Sequence, residues 1–421
     1  MRRTLALGLT FVLLSTLLAG CWDRREINEL ALVSSVGVDK ENDLWRLTAE
    51  IFRPPAGGGE GGGGGGGGGG GPMRQVWVAR GQGYTIFQAI RDMATKVPRR
   101  VYWAHCTVVI VGEEAARAGI TEVLDFWDRD PEARRSANIL VCRGRAEDLI
   151  VDSQGSLEKT VGLEVVGLKK VVRANAHSRV SSINEFLVAM AAAGADPITG
   201  GVELKAVPEP PGLAQGGGGG GQGGAGSAGS GGSEGGGGRP VRILRLKGIA
   251  LFRKDKLVGF LEPAEARGLN WVRGDFASTI INVRCPQHPD KEDDRVGLEL
   301  FRVASRLEVK AREGRPEITV KVKTELALAD QGCQGDLTKP EPRRSLERQA
   351  ATVIRNEIEA AVGRAKSLGV DPFAFGEAIH RGQPRLWKQL EKDWPQGLKD
   401  LTVKVDSTAK IRRSDLSTQA P

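Results

Sequence analysis

The 421-residue chain is poor in the side chains on which most enzyme and metal chemistry depends. It has four histidines, His105, His177, His288 and His380, and five cysteines. No two histidines stand close enough for a helical metal-binding pair of the His-Glu-x-x-His kind. The wide spacing of Cys106, Cys142, Cys285 and Cys333 excludes zinc-type clusters. No Gly-x-Ser-x-Gly elbow joins a strand to a helix. Glycine is abundant, at 58 residues. Yet no Gly-Lys-Ser/Thr follows a glycine tract, and no Gly-x-Gly-x-x-Gly opens a helix, so phosphate binding is a poor reading of these tracts. The acids from Asp290 to Asp294 lack EF-hand spacing and read as a solvated loop. Aromatic residues make up 5%, and the 60 basic and 52 acidic residues are interspersed. A nucleic-acid protein needs a basic stripe with interleaved aromatics, and there is none. The composition points away from an enzyme.

Long apolar runs are equally scarce, and the one present is at the start. Arg2 and Arg3 precede an uncharged apolar run from Leu5 to Leu18, which ends in Ala19-Gly20-Cys21. Spanning a bilayer takes roughly 20 apolar residues, and this run is shorter. A charged n-region, an h-region and small residues at a processing site make a signal peptide over residues 1–20. Leu18-Ala19-Gly20-Cys21 resembles the lipobox of bacterial lipoproteins. The resemblance implies cleavage between Gly20 and Cys21 and a diacylglyceryl group on the Cys21 thiol. It implies no other cofactor, whether or not an N-acyl chain is added. One acyl chain holds a protein to a membrane only marginally and two hold it stably. The formal charge of +8 becomes +6 without Arg2 and Arg3.

The remaining residues suit two or three domains. Two low-complexity stretches, 57–71 and 215–238, cannot bury apolar surface and are expected to be disordered. Strand-like Leu44–Phe52 and Gln75–Arg80 flank the first, which reads as an expanded hairpin loop. The second follows a strand at 201–207 and precedes one at 241–246. Alternating strands and helices predict a mixed α/β N-terminal domain over 21–199. A small strand-rich middle domain follows over 200–274, with separate strands at 241–246 and 248–253. The last unit, 275–421, reads as an antiparallel sheet with helices on one face. Leu346, Ala350, Ile354, Ile358, Ala361, Ala365 and Leu368 form the apolar stripe of its principal helix. Gly369 and Pro372 stop that helix. The fold class is therefore α+β, with three domains after the signal peptide. Cys106 and Cys142 lie in apolar strands and read as buried thiols. Cys285 and Cys333 lie near strand ends, where they either pair or stay free. His105 and His380 read as structural, Asp371 as the cap of a helix through His380, and Trp387 and Trp394 as core residues of one helix.

Several stretches, in order, resemble the Ger(x)C family of spore germination lipoproteins. They are Gly20-Cys21-Trp22-Asp23, Glu26-Ile27-Asn28-Glu29-Leu30, Gly37-Val38-Asp39, and His105 with Val108-Val109-Ile110-Val111-Gly112-Glu113-Glu114. Phe126-Trp127-Asp128-Arg129-Asp130-Pro131, Gly248-Ile249-Ala250-Leu251-Phe252 and Lys254-Asp255-Lys256-Leu257-Val258-Gly259 follow. Gly369-Val370-Asp371-Pro372-Phe373, Ile379-His380-Arg381, Trp387 and Trp394 complete the series. The two glycine tracts depart from the family and look like insertions. The resemblance implies a non-enzymatic subunit of a nutrient germinant receptor on the outer face of the spore inner membrane. It further implies two integral-membrane partners, the A and B type subunits, and no nucleic acid. It carries no ligand-binding residues. A solute-binding lipoprotein of a transporter is the alternative. The sheet-rich last third fits that two-lobed class poorly.

Overall fold

The computed structural model describes residues 26–53, 76–153, 157–207 and 241–414, apart from 289, 292 and 313. Cys21 and both glycine tracts lie outside the described residues.

A hairpin opens the described chain. Strands β1 (Leu30–Glu41) and β2 (Leu44–Phe52) pair antiparallel around Asn42 and Asp43, which both take positive φ. Strand β3 (Val76–Gly83) pairs antiparallel with β2 along its whole length. The first glycine tract thus joins two adjacent strands, as a hairpin loop should. Thr85 caps α1 (Ile86–Ala94) by accepting a bond from the Gln88 amide. This helix lies so close to β3 that a Cβ on Gly81 would sit 2.1 Å from the Ala89 carbonyl oxygen. A short strand, β4 (Arg100–Tyr102), runs parallel to the start of β1. Then come β5 (Val108–Gly112), α2 (Glu113–Ala118), α3 (Thr121–Arg129) and β6 (Asn138–Cys142). Strands β5 and β6 are buried at every position, as parallel strands covered on both faces should be. Helices α4 (Ala146–Asp152) and α5 (Val161–Val172) lead to the two-residue β7 (Ser181–Ser182). Ser182 and Glu185 form a capping box at α6 (Ile183–Ala191).

The next strands continue the same sheet. β8 (Ile198–Val207) runs parallel to β6, β9 (Val241–Arg253) antiparallel to β8, and β10 (Lys256–Leu261) antiparallel to β9. The order along the sheet is β10-β9-β8-β6-β5-β1-β2-β3, with β4 and β7 pairing on the side. One sheet therefore takes in strands on both sides of the boundary expected at residue 200. The two strands expected at 241–246 and 248–253 are one strand. Gly248 lies inside it at φ +70°, and its amide donates to the His177 carbonyl. The gap expected at 247 is a local irregularity in a continuous strand.

Helix α7 (Pro263–Arg273) leads into the second sheet, ordered β11 (Ile280–Arg284), β12 (Arg295–Arg312), β13 (Arg315–Gln331) and β14 (Thr402–Ser414). The first three are antiparallel, but β14 runs parallel to β13. The C-terminal sheet is thus mixed rather than antiparallel as expected from the sequence. The reason is the long helical crossover between those strands. It comprises α8 (Pro340–Leu368), α9 (Phe375–Gly382), α10 (Pro384–Leu390) and α11 (Trp394–Asp400). A disulfide joins Cys285, just past β11, to Cys333, just past β13. Cys106 and Cys142 are buried free thiols, each pushed up to about 12 by burial.

Strand β9 is a shared wall. Its alternate residues Ile249 and Leu251 belong to the core built with α7, α8 and the second sheet. Between them, Ala250 and Phe252 belong to the core of the first sheet with Trp45, Trp103 and Trp127. Period-two alternation thus places this part of β9 in both cores, so that the strand is common to the two halves.

Candidate functional site

Two polar sites stand out, each built on a buried aspartate that follows Gly-Val. The first lies where the parallel strands β1, β5 and β6 end. Asp39, near the end of β1, is 7% exposed. Its two carboxylate oxygens accept from the Ala146 and Glu147 amides at 2.8 and 2.9 Å, at the start of α4. These amides have no intrahelical partner, so the carboxylate satisfies the helix from a distant strand. Glycine is required around it. A Cβ on Gly112 would fall 2.0 Å from the Asp39 Oδ1. Burial raises the Asp39 pKa, against the pull of the two amides and of Arg145. Lys40, Glu41, Arg46, Glu114 and Arg145 line a cavity of about 180 Å³ beside it. Carboxyl ends of parallel strands are the usual ligand face of such sheets.

The second site lies where the loop after α6 meets the loop after α8. Asp371 is fully buried. It accepts from the Phe373, Phe375 and Gly376 amides at 3.2, 3.1 and 2.8 Å and from the Trp394 indole at 3.1 Å. Burial nevertheless pushes its pKa up to about 6, with Asp196 adding to the rise. The Asp371 amide donates to the Asp196 carboxylate at 2.7 Å, and the Asp196 amide returns a bond to the Asp371 carbonyl at 2.9 Å. Beside this pair the backbones touch: a Cβ on Gly194 would lie 2.4 Å from the Gly376 carbonyl carbon. Arginines of β9 and α7 reach carbonyls at and just past the end of α8. Arg253 donates to Leu368 at 2.6 Å, and Arg273 to Pro372 at 2.6 Å. Between α7 and α8, Arg267 chelates the buried Glu357, itself held by the Trp271 indole at 2.8 Å. Next to it a cavity of about 230 Å³ is lined by Lys169, Arg173, Arg179, Glu185, Asn270 and Asp275, among others. Arg179 is paired with Asp275.

The residues singled out in the sequence are dispersed. Gly20 and Cys21 lie outside the described residues. His105 is exposed in the turn before β5, tilted against Tyr102. His380 is exposed on α9 and stacks on Trp387. Trp387 and Trp394 are core residues, but on α10 and α11 rather than one helix. His288 pairs with Asp294, whose carbonyl accepts from the Cys285 amide. Asp371 does cap the helix through His380. Its partner Asp196 carried no signal beyond its place before a proline. Among the described residues no cluster of three or more His, Cys, Asp or Glu side chains is arranged to hold a metal ion.

A family model for the spore germination protein N-terminal domain matches residues 23–204, and one for spore germination B3/GerAC like, C-terminal, matches residues 247–415. The second glycine tract falls between the two matches. Spore germination protein KC of Bacillus subtilis is 29% identical, over 99% of this chain and 97% of its own. Spore germination protein B3 of the same organism is 22% identical over 95% of both chains. The crystal structure of the GerBC protein superposes with a TM-score of 0.50 at 18% identity, covering 90% of this chain and 96% of that one. The α+β fold is thus shared with that protein. With both halves matched in order, and with the motifs near Asp39 and Asp371 inside the matched spans, the chain belongs to the Ger(x)C, or GerAC-like, family of spore germination proteins.

Proposed function

We propose that this chain is the lipid-anchored subunit of a spore nutrient germinant receptor. It is held on the outer face of the spore inner membrane by a diacylglyceryl group on Cys21. It works there without catalysis, beside two integral-membrane subunits. The observation that carries the reading is a lipobox-like Leu18-Ala19-Gly20-Cys21 placed directly before a family match that begins at residue 23. The jointed body supports it. Two cores sharing β9 make a two-part scaffold, unlike two similar lobes around a cleft. Deleting the gene in its spore-former is expected to abolish germination in response to at least one nutrient. Unchanged germination with every nutrient would sink the proposal. Cys21→Ala is expected to lose lipid labelling and to leave the precursor uncut.

A further inference from the structure

The end of the sheet nearest the anchor has the makeup of a bilayer-contacting surface. Leu30 and Ala31 at the start of β1, Ile51, Phe52 and Arg53 at the end of β2, Trp77 at the start of β3, and Val97, Pro98 and Arg99 before β4 surround an apolar recess of about 270 Å³. Strand polarity brings these positions to one edge, since β1, β3 and β4 begin there and β2 ends there. Phe52 and Trp77 are only half-buried, and Pro98, Arg99 and Arg100 are exposed. Ile27, in the lead to β1, is 74% exposed. Among the described residues Arg53 and Arg99 make no ion pair, while Arg100 pairs with Glu132 at 2.6 Å. A tryptophan and a phenylalanine ringed by arginines are the side chains that settle at a headgroup boundary, with the rings in the interface and the guanidinium groups in water.

Chain length limits what can cover this edge. Cys21 lies five residues before Glu26, and five extended residues span at most about 18 Å. We infer that this edge rests on the bilayer itself, so that β1 leads away from the membrane and its far end at Glu41 stands clear. At about 3.3 Å per residue, Leu30 and Glu41 are roughly 36 Å apart. The occupant is the lipid surface, read by apolar and cationic side chains. The inference rests on lipidation at Cys21.

The test uses full-length lipidated protein in phosphatidylcholine/phosphatidylglycerol vesicles. Arg99→Cys and Glu41→Cys are each labelled with a nitroxide, and collisions with a lipid-bound nickel chelate are measured. A several-fold larger relaxation effect at position 99 than at 41 is expected. Hydrogen exchange of the unsubstituted protein should in parallel slow at 51–53, 76–78 and 97–100 on vesicles, relative to detergent. Equal, solvent-like signals at 99 and 41 in protein that co-floats with vesicles would overturn the inference. So would protection of this edge that needs the integral-membrane subunits and is absent with lipid alone. Protein that fails to co-float would instead indict the lipidation reading, which separates the two failures.

Discussion

The two Gly-Val-Asp sites differ in what they join. Asp39 ties strand β1 to helix α4, and both elements belong to the first sheet and its cover. Asp371 gathers the amides of its own loop and the Trp394 indole, while its backbone is locked to Asp196 in the other half of the molecule. Both carboxylates satisfy backbone donors that would otherwise be buried without partners. Asp39 borders a cavity, whereas Asp371 is wholly enclosed. Each carboxylate therefore closes its own unit, but the loop that Asp371 closes is the one whose backbone is bonded to Asp196 in the other half.

Removing each carboxylate sharpens that difference. Asp371→Ala leaves four buried donors without an acceptor, and each such loss costs about 1–3 kcal/mol. With some relaxation the expected destabilisation is about 4 kcal/mol in a denaturant melt. It should be accompanied by loosened exchange protection at 192–197. Asp39→Ala orphans two amides beside a cavity that water can reach, so about 2 kcal/mol is expected, with no change at 192–197. Equal losses, or protection changes confined to the α9 loop in both variants, would remove the distinction between a local cap and a coupling cap.

The same contrast has a pH signature. An unfolded aspartate gives up its proton near 3.8, whereas burial holds the Asp371 proton up to about 6. Between those values the native state binds the extra proton. Stability therefore falls as pH rises through that window and levels off above about 6. Asp371→Asn keeps the shape and cannot titrate. The plot of unfolding free energy against pH should be flatter between pH 4 and 6 in that variant than in the unsubstituted protein, by roughly 1 kcal/mol per pH unit. A parallel pair of curves would show that Asp371 ionises at an ordinary value in the fold.

The halves differ in cysteine use as well. Cys106 and Cys142 are free thiols in the first sheet. The bridge of the second sheet closes a loop with a sequence separation of 48. Replacing Cys285 and Cys333 together by serine should cost about 3 kcal/mol through the gain in unfolded-chain freedom. Cys142→Ser, which removes a buried thiol that makes only a weak bond to the Arg145 carbonyl at 3.5 Å, should cost about 1 kcal/mol. Thermal melts of the two variants would rank them, and a larger loss from Cys142→Ser would contradict the assignment of the bridge as the stronger constraint.

Most elements were legible because their periodicity was clear. Ala31–Val38 lies within β1, and the stripe from Leu346 to Leu368 lies on α8. What escaped has physical reasons. The strand pattern pauses at Lys247, but the irregularity there, with Gly248 at positive φ, is absorbed within one paired strand. The middle unit looked separate because β9 alternates apolar residues on both faces, and the sequence does not say which core each face serves. The parallel direction of β14 depends on the length of the helical crossover rather than on its own residues. The Asp371 cap was visible in local spacing, but the bond to Asp196 spans 175 positions. No local pattern encodes such a contact.

The smallest effect is expected from the glycine tracts, and it compares the two ends of the parallel strands. The first tract joins β2 to β3 at the end where β1 begins. The second joins β8 to β9 at the carboxyl ends of β6 and β8. In each case the flanking strands are hydrogen-bonded neighbours, so their ends are already held close by the sheet. Halving a flexible loop between fixed ends changes the closure entropy by about 0.6 kcal/mol. Shortening 57–71 or 215–238 to half its length should therefore move the melting temperature by no more than a degree or two. The two variants should match each other within that margin. If the bilayer lies against the edge formed by Phe52, Trp77 and Arg99, however, only the first tract emerges at the lipid surface. Its shortening would then alter exchange at 51–53 and 76–78 on vesicles and not in detergent, while shortening the second would alter neither. A large loss of stability from either deletion would mean that the tract packs against the body and that its composition misleads.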